Sequence, residues 1–402
     1  MDSNSTSPNG VAMPVPTPIP TNAILAAMLQ VSPNISDLVF SPGKPAQVEL
    51  SGKLAGVKIG DLAVLTADDT LRIAKDLMEG NSTAQDQLSA QGACDLSYSV
   101  PGKSRFRVNI FKQRGTYAIV MRVISAGIPT FEKLQLPTQL RDIANLKNGI
   151  VLVTGPTGSG KSSTLAAIID LINETHSYHI VTIEDPIEFI HRHKKSTVHQ
   201  RELHSDTPTF AMALRAALRQ APKVILVGEM RDRETIETAL EAAETGHLVF
   251  STLHTIDASK TVERIVGVFS NAEQQLIRTR LAGSFRWIVS QRLVPRKEGG
   301  GRIAAIEILR SNQRTREYLE RGEREGKSLL DAIRDGNQEG MQAFDTELER
   351  MARAGTISVA SALGYSTNHG NLRLQLSDMI EESERQAVSR PEHASAMHDQ
   401  VQ

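Results

Sequence analysis

A glycine-rich loop, GPTGSGKSS at residues 155–163, has the spacing of a phosphate-binding loop. It matches the pattern GxxxxGK followed by Ser or Thr, with a predicted strand before it and a predicted helix after it. Glycines let several backbone N–H groups face one phosphate, and the N terminus of the following helix adds its positive dipole end. We therefore expect the loop to bind ATP, with Lys161 at the β- and γ-phosphates and the Ser162 hydroxyl on Mg²⁺. The alternative is a tight glycine turn without a ligand. The predicted nucleotide-binding residues are Gly155, Pro156, Thr157, Gly158, Ser159, Gly160, Lys161, Ser162 and Ser163.

Carboxylates follow two other predicted strands. Glu229 ends the apolar run 224–227, at the edge where an open α/β sheet binds its ligands, and a carboxylate there can orient water and help to hold the metal ion. A surface glutamate that only ends a strand is the alternative. Glu184, Asp185 and Glu188 crowd the end of the strand in TIEDPIE. Because like charges so close together repel, we expect Glu184 and Asp185 to face Mg²⁺ rather than to form a solvated acidic turn.

Two histidines, His247 and His254, bracket the predicted strand LVFSTL. Their place beside the predicted site favours a sensor of the γ-phosphate over a structural role. A zinc site is not expected, because Cys94 is the only cysteine and no further histidine is spaced to complete a ligand set.

The pattern of apolar runs predicts two domains of different construction. Alternating short runs such as AQVELSG and FRVNIFKQ predict a small mixed domain over residues 23–125, and the proline-containing residues 126–136 predict a linker. From residue 137 to 376, β-branched strands alternate with helices, which implies a parallel sheet covered on both faces. Its last part, about 312–376, is a predicted helical appendage.

The composition narrows the expected partners and location. Lys+Arg total 45 and Asp+Glu total 46, and aromatic residues make up 4%, so that we expect no nucleic-acid partner. Since no apolar run approaches the ~20 residues that span a bilayer and no secretion signal is recognisable, a cytoplasmic protein is expected. The polar, proline-containing residues 1–22 and the polar residues 377–402 predict disordered tails.

The motifs, taken in order, resemble the secretion and pilus ATPases, and within them the PilT-like twitching motility ATPases of type IV pili. The matching segments are GPTGSGKSSTLAAIIDLIN, YHIVTIEDPIEFIH, VILVGEMRD, ETALEAAETGHLVFSTLHT, QRLVP and GRIAAIEIL. This resemblance implies a small PAS-like α+β domain followed by a RecA-like α/β ATPase domain with a P-loop and a parallel-rich sheet. It further implies a homohexameric ring beneath the inner membrane that drives pilus retraction by acting on a membrane platform protein. A paralogous pilus ATPase is a further candidate partner.

The same resemblance assigns roles to individual residues. Lys161 matches the Walker A lysine, Glu229 the Walker B glutamate, Glu188 the catalytic glutamate and His254 the family's His box. Arg107 and Arg122 match arginines of the N-terminal domain that approach phosphate; ordinary strand-edge arginines are the equal alternative.

Several positions depart from the family pattern. Ala221 and Lys223 stand where aspartates usually precede the Walker B strand, and the segment 314–318 retains only the arginine of the family's AIRNL retraction motif. The departures leave open an accessory or regulatory paralogue of the retraction motor. A nucleic-acid translocase is the more distant alternative. Extension and type II secretion ATPases carry a four-cysteine module, which a single cysteine cannot form.

Overall fold

The computed structural model describes residues 19–50, 52–60, 62–124 and 127–381. The chain divides into two compact units, Met1–Ser125 and Ala126–Gln402. Most of the predicted tails therefore lie outside the described residues.

The first unit is an antiparallel sheet with helices packed on one face. Its strands are β1 (Ile35–Phe40), β2 (Ala46–Leu50), β3 (Lys53–Val57), β4 (Ala93–Val100), β5 (Ser104–Gln113) and β6 (Thr116–Ile124), and its helices are α1 (Thr21–Leu29), α2 (Ala67–Leu77) and α3 (Ser82–Gln91). The strand order is β3-β2-β1-β6-β5-β4. Alternate residues of β5, namely Phe106, Val108 and Ile110, pack with Ile73 and Leu88 of the helices in one apolar cluster. The residues between them on β5 point to the opposite face.

Two short pieces assigned to the tails belong to helices instead. α1 begins at Thr21, whose hydroxyl donates to Asp76, and Asn22 accepts a hydrogen bond from the Tyr98 hydroxyl. Residues 377–381 are helical, and Met379 and Ile380 there pack against an apolar cluster. The polar composition of both ends concealed these contacts, because each of them is made with residues distant in the sequence.

The second unit is built on a seven-stranded sheet. Its strands are β7 (Gly149–Thr154), β8 (His179–Glu184), β9 (Thr197–Glu202), β10 (Val224–Val227), β11 (Leu248–Leu253), β12 (Phe285–Pro295) and β13 (Arg302–Arg310). Its helices are α4 (Phe131–Leu134), α5 (Lys161–Thr175), α6 (Phe210–Ala217), α7 (Arg233–Glu244), α8 (Ala258–Val266), α9 (Asn271–Ser284), α10 (Gln313–Arg321), α11 (Leu329–Asp335), α12 (Phe344–Arg353), α13 (Val359–Gly364) and α14 (His369–Gln375), with 3₁₀ helices at Thr138–Asn145 and Asn337–Glu339. α4 lies within residues 126–136, the predicted linker. The buried side chain of Phe131 shows that this part of the segment packs against the rest of the second unit.

The strand order is β13-β12-β7-β11-β10-β8-β9, and only β13 runs antiparallel to its neighbour. Along β7, Ile150 and Leu152 enter one apolar cluster while Val151 and Val153 enter another. Successive side chains of a strand point to opposite faces, so both faces of this sheet are covered. The predicted α/β fold with a largely parallel sheet is confirmed. Within the described ranges, none of the helices has the length and apolar character needed to cross a bilayer.

Candidate active site

The phosphate-binding loop joins β7 to α5 at the carboxyl edge of the sheet. Gly155 and Gly160 have φ angles of +146° and +89°, which L side chains rarely adopt. A Cβ atom at Gly155 would collide with the backbone oxygen of Gln291 and the side chain of Ser159. The Gln291 amide on β12 donates to the Ser159 carbonyl over 2.6 Å, and this hydrogen bond fixes the loop to β12.

The Lys161 ammonium lies over this loop. Lys161 is 8% exposed, and its Nζ donates to the carbonyls of Gly155 (2.9 Å) and Pro156 (3.1 Å). Burial lowers the pKa of Lys161, while the charges of Glu188 and Glu229 act in the opposite direction. The two carboxylates from different loops therefore lie within electrostatic reach of the same lysine.

A cleft of about 670 Å³ collects most of the predicted site residues, a volume suited to a small-molecule ligand. The predicted residues that line it are Thr157, Gly158, Gly160, Lys161, Ser162, Ser163, Glu184, Asp185, Glu188, Glu229 and His254. Gly155, Pro156 and Ser159 lie in the loop itself but do not line the cleft.

Glu229 forms the centre of a polar group on one wall of the cleft. Its Oε2 lies 2.7 Å from Nε of Arg231 and 3.6 Å from Nε2 of His254. Nδ1 of His254 is 3.4 Å from the Thr157 hydroxyl of the phosphate loop. Burial lowers the pKa of His254, and the Lys161 charge adds to this, which favours the neutral imidazole. A neutral imidazole between Glu229 and the phosphate loop can form a hydrogen bond with a phosphate group bound there.

The acidic segment at the end of β8 contains carboxylates in different environments. Glu184 accepts hydrogen bonds from Thr182 (2.6 Å) and Gln200 (3.1 Å), and burial raises the pKa of Glu184. Asp185 and Glu188 are exposed to the cleft. Of the two predicted Mg²⁺ carboxylates in this segment, Asp185 is thus the freer to face a cation.

The residues present fit a magnesium ion held mainly by nucleotide. Mg²⁺ keeps several waters and binds through one or two carboxylates together with phosphate oxygens. The Ser162 hydroxyl and the Glu229 carboxylate line the same cleft as the phosphate loop. No cluster of three or more His, Cys, Asp or Glu side chains arranged for a metal occurs in the part of the chain that the structure describes.

We expect hydrolysis to require Mg²⁺ and to be unaffected by a selective zinc chelator, because the candidate ligands are hard oxygens. Removing divalent cations should lower the rate of phosphate release by at least about tenfold, and Mg²⁺ alone should restore it. The check is a phosphate-release assay with each chelator and each metal added back. Loss of activity on zinc removal that only zinc restores would contradict this expectation.

His247, Arg107 and Arg122 were also singled out in the sequence, but none of them lines the cleft. His247 precedes β11, at the opposite end of the strand from the cleft, and its Nδ1 lies 2.9 Å from the Ala242 carbonyl. The two histidines do bracket the strand, but the prediction that both lie beside the site is wrong for His247. Arg107 and Arg122 lie in the first unit, directly opposite each other on the neighbouring strands β5 and β6.

The sequence reasoning missed part of the cleft wall. Leu293 of β12 and Arg302 of β13 line the cleft, and the register pairs Pro295 with Arg302. Because β13 runs antiparallel to β12, its first residue lies beside the carboxyl end of β12 and faces the cleft. The segments QRLVP and GRIAAIEIL had matched the family as blocks, but only strand pairing shows which of their residues reach the site.

The fold and the cleft define a P-loop ATPase on an α/β sheet. The model of the family described as "Type II/IV secretion system protein" matches residues 69–360. The chain is 44% identical over 329 residues to the type IV pilus retraction ATPase PilT of Pseudomonas aeruginosa, with 81% of this chain and 93% of that protein covered. It is 37% identical over 348 residues to the type IV pilus ATPase PilU of the same organism, with 87% and 89% covered. A crystal structure of the pilus retraction motor PilT with bound ADP matches with a TM-score of 0.77 and 43% identity, covering 87% of this chain and 98% of that one. The chain therefore belongs to the Type II/IV secretion system protein family and is a PilT-like ATPase.

Proposed function

We propose that this protein is a homohexameric ATPase that couples ATP hydrolysis to type IV pilus retraction for twitching motility. The observation that carries the proposal is the cleft in which Lys161, Glu188, Glu229 and His254 meet, in a chain 44% identical to PilT. In this proposal Glu188 activates the attacking water, Lys161 binds the phosphates and His254 senses the γ-phosphate. Ser162 and Glu229 would hold a Mg²⁺ ion, which would supply further positive charge at the phosphates. The ring acts from the cytoplasmic side on the inner-membrane platform protein of the pilus machine.

A second candidate is an accessory paralogue of the retraction motor. It is favoured by the similarity to PilU and by the structure of α10. There Arg314 donates to Asp335 (2.7 Å) and to the Tyr318 hydroxyl (2.9 Å), so that the one arginine shared with the AIRNL motif is tied to α11 and to its own helix. An arginine engaged in this way is less available to a partner.

Deletion of the gene followed by imaging of single pili separates the two candidates. The main proposal expects hyperpiliated cells whose pili do not retract, because subunits are added but no longer removed. Complementation with the wild-type gene should restore retraction, whereas complementation with a Lys161→Ala gene should not. Normal retraction in the deletion strain would contradict the main proposal. Weakened retraction that fails fully only when a paralogous ATPase is also deleted would support the accessory role.

A further inference from the structure

A row of polar side chains crosses three strands behind the phosphate loop. The register aligns Thr154 of β7 with Ser290 of β12, and Ser290 with Glu307 of β13. The Thr154 hydroxyl donates to Ser290 Oγ over 3.0 Å, and Ser290 in turn hydrogen-bonds the Glu307 carboxylate. Glu307 is only 2% exposed. A buried carboxylate is costly unless it is hydrogen-bonded, and this one sits among strand positions that are otherwise apolar.

The Glu307 carboxylate also holds the N terminus of α8. Its Oε1 accepts a hydrogen bond from the backbone N–H of Ala258, the first residue of that helix, over 3.0 Å. The first N–H groups of a helix have no partner within the helix, and its dipole favours a negative charge at this end. The position of α8 relative to the sheet is therefore set from β13.

Only residues 254–257 separate β11 from α8, and His254 is the first of them. The Thr255 and Thr261 hydroxyls lie 2.6 Å apart, and Thr261 donates to the Asp257 carbonyl over 2.7 Å. Because the loop is so short and is bonded to α8 in this way, a shift of the helix N terminus moves the backbone of His254.

The charges of Asp257 and Arg292 also act on the Glu307 carboxylate. The positive charge of Arg292 on β12 opposes the rise in the pKa of Glu307, which burial and the neighbouring Asp257 bring to about 7. The Arg292 guanidinium lies 3.8 Å from the ring centroid of Phe344 on α12 and donates to Thr367 before α14. Arg292 thus connects β12 to the C-terminal helices.

We propose that Glu307 is a positioning residue for ATP hydrolysis: by holding the N terminus of α8, its carboxylate sets His254 against Glu229 and the phosphate loop. The inference rests on the proposed role of His254 at the γ-phosphate. Glu307 itself does not touch the nucleotide cleft.

A double-mutant cycle tests this proposal on the full-length protein. Glu307→Leu removes the acceptor for Ala258 and should lower kcat by about tenfold or more, with KM for ATP changed by less than about twofold. Glu307→Gln keeps an acceptor oxygen and should stay within about threefold of the wild-type rate. In a His254→Ala background, Glu307→Leu should cost less than about twofold, because the group that it positions is gone. Glu347→Gln, which neutralises a buried carboxylate on α12 paired with Arg350, is the matched control and should leave kcat unchanged.

The cycle distinguishes two kinds of failure. If Glu307→Leu lowers kcat by the same factor with and without His254, the carboxylate is merely structural and the positioning role is overturned, while the role of His254 stands. If His254→Ala alone turns over at the wild-type rate, the role of His254 is overturned and the positioning role with it. Should Glu307→Leu fail to fold, Thr261→Val takes its place. It removes the hydroxyl that holds Thr255 and should lower kcat several-fold only when His254 is present; an equal loss in both backgrounds overturns the proposal.

Discussion

Glu229→Gln is expected to bind ATP almost normally and to hydrolyse it at least about 100-fold more slowly than the wild type, whereas Lys161→Ala loses binding or turnover. Glutamine keeps the shape of Glu229 but removes the negative charge that orients water and helps to hold the metal. Truncation of Lys161 removes the cation that the phosphate loop carries. Calorimetry with a slowly hydrolysed ATP analogue measures binding, and phosphate release measures turnover.

A matched control separates these effects from a loss of charge in general. Glu234 forms a surface ion pair with Arg215 on α6, away from the residues that line the cleft. Exposed pairs contribute little to stability, so Glu234→Gln should keep the wild-type rate. If Glu229→Gln hydrolysed ATP as fast as Glu234→Gln, its assignment as the Walker B glutamate would be lost.

Arg107→Ala and Arg122→Ala should each bind ATP almost normally but hydrolyse it far more slowly, on the order of 10³-fold for a guanidinium that meets the transferring phosphoryl group. The two side chains occupy directly opposed positions on β5 and β6, and both are exposed. Like charges directly opposite each other in a sheet are destabilising, so an anion beside this pair is favourable even though Arg122 also contacts Asp37. Single-turnover hydrolysis, with light scattering to follow ring assembly, is the measurement.

The two arginines differ in one respect that shapes the controls. Nε of Arg122 lies 3.0 Å from Oδ1 of Asp37, whose side chain is 10% exposed, so Arg122→Ala leaves a mostly buried carboxylate without this partner. Thermal unfolding of Asp37→Asn alongside Arg122→Ala separates the structural loss from the catalytic one. Near-normal turnover in both arginine variants would count against a role at phosphate. So would a loss of activity that parallels the loss of folding.

The nucleotide end of the site could be predicted because its residues are close together in the sequence. The phosphate loop and Glu229 each follow a strand that is recognisable from its apolar run, and the carboxyl ends of parallel strands meet at one edge. His247 was misplaced because a histidine before a strand and one after it lie at opposite edges, and only the strand direction distinguishes them. Leu293 and Arg302 could not be found in this way, since they reach the cleft through the pairing of β12 with β7 and β13.

Environments that depend on tertiary contacts could not be predicted from the sequence either. In the sequence, Glu307 is one polar residue in the apolar run GRIAAIEIL. Its hydrogen-bond partners are distant in the chain: Ala258 is 49 residues away and Ser290 is 17 residues away. Trp287, a bulky residue in β12, is 2% exposed and is covered by the Arg310 guanidinium at 4.4 Å from its ring centroid. Neither environment is encoded in a local pattern of residue types.

Every residue of β7 and β11 is buried, and these adjacent strands end at the phosphate loop and at His254. Strands enclosed on both faces open only when the whole unit unfolds, so they act as a stiff frame at the centre of the motor. Motion produced by hydrolysis must then arise in the short connections that leave this frame and in the helices attached to them. In the proposed retraction motor, the strands are the fixed reference against which force is generated.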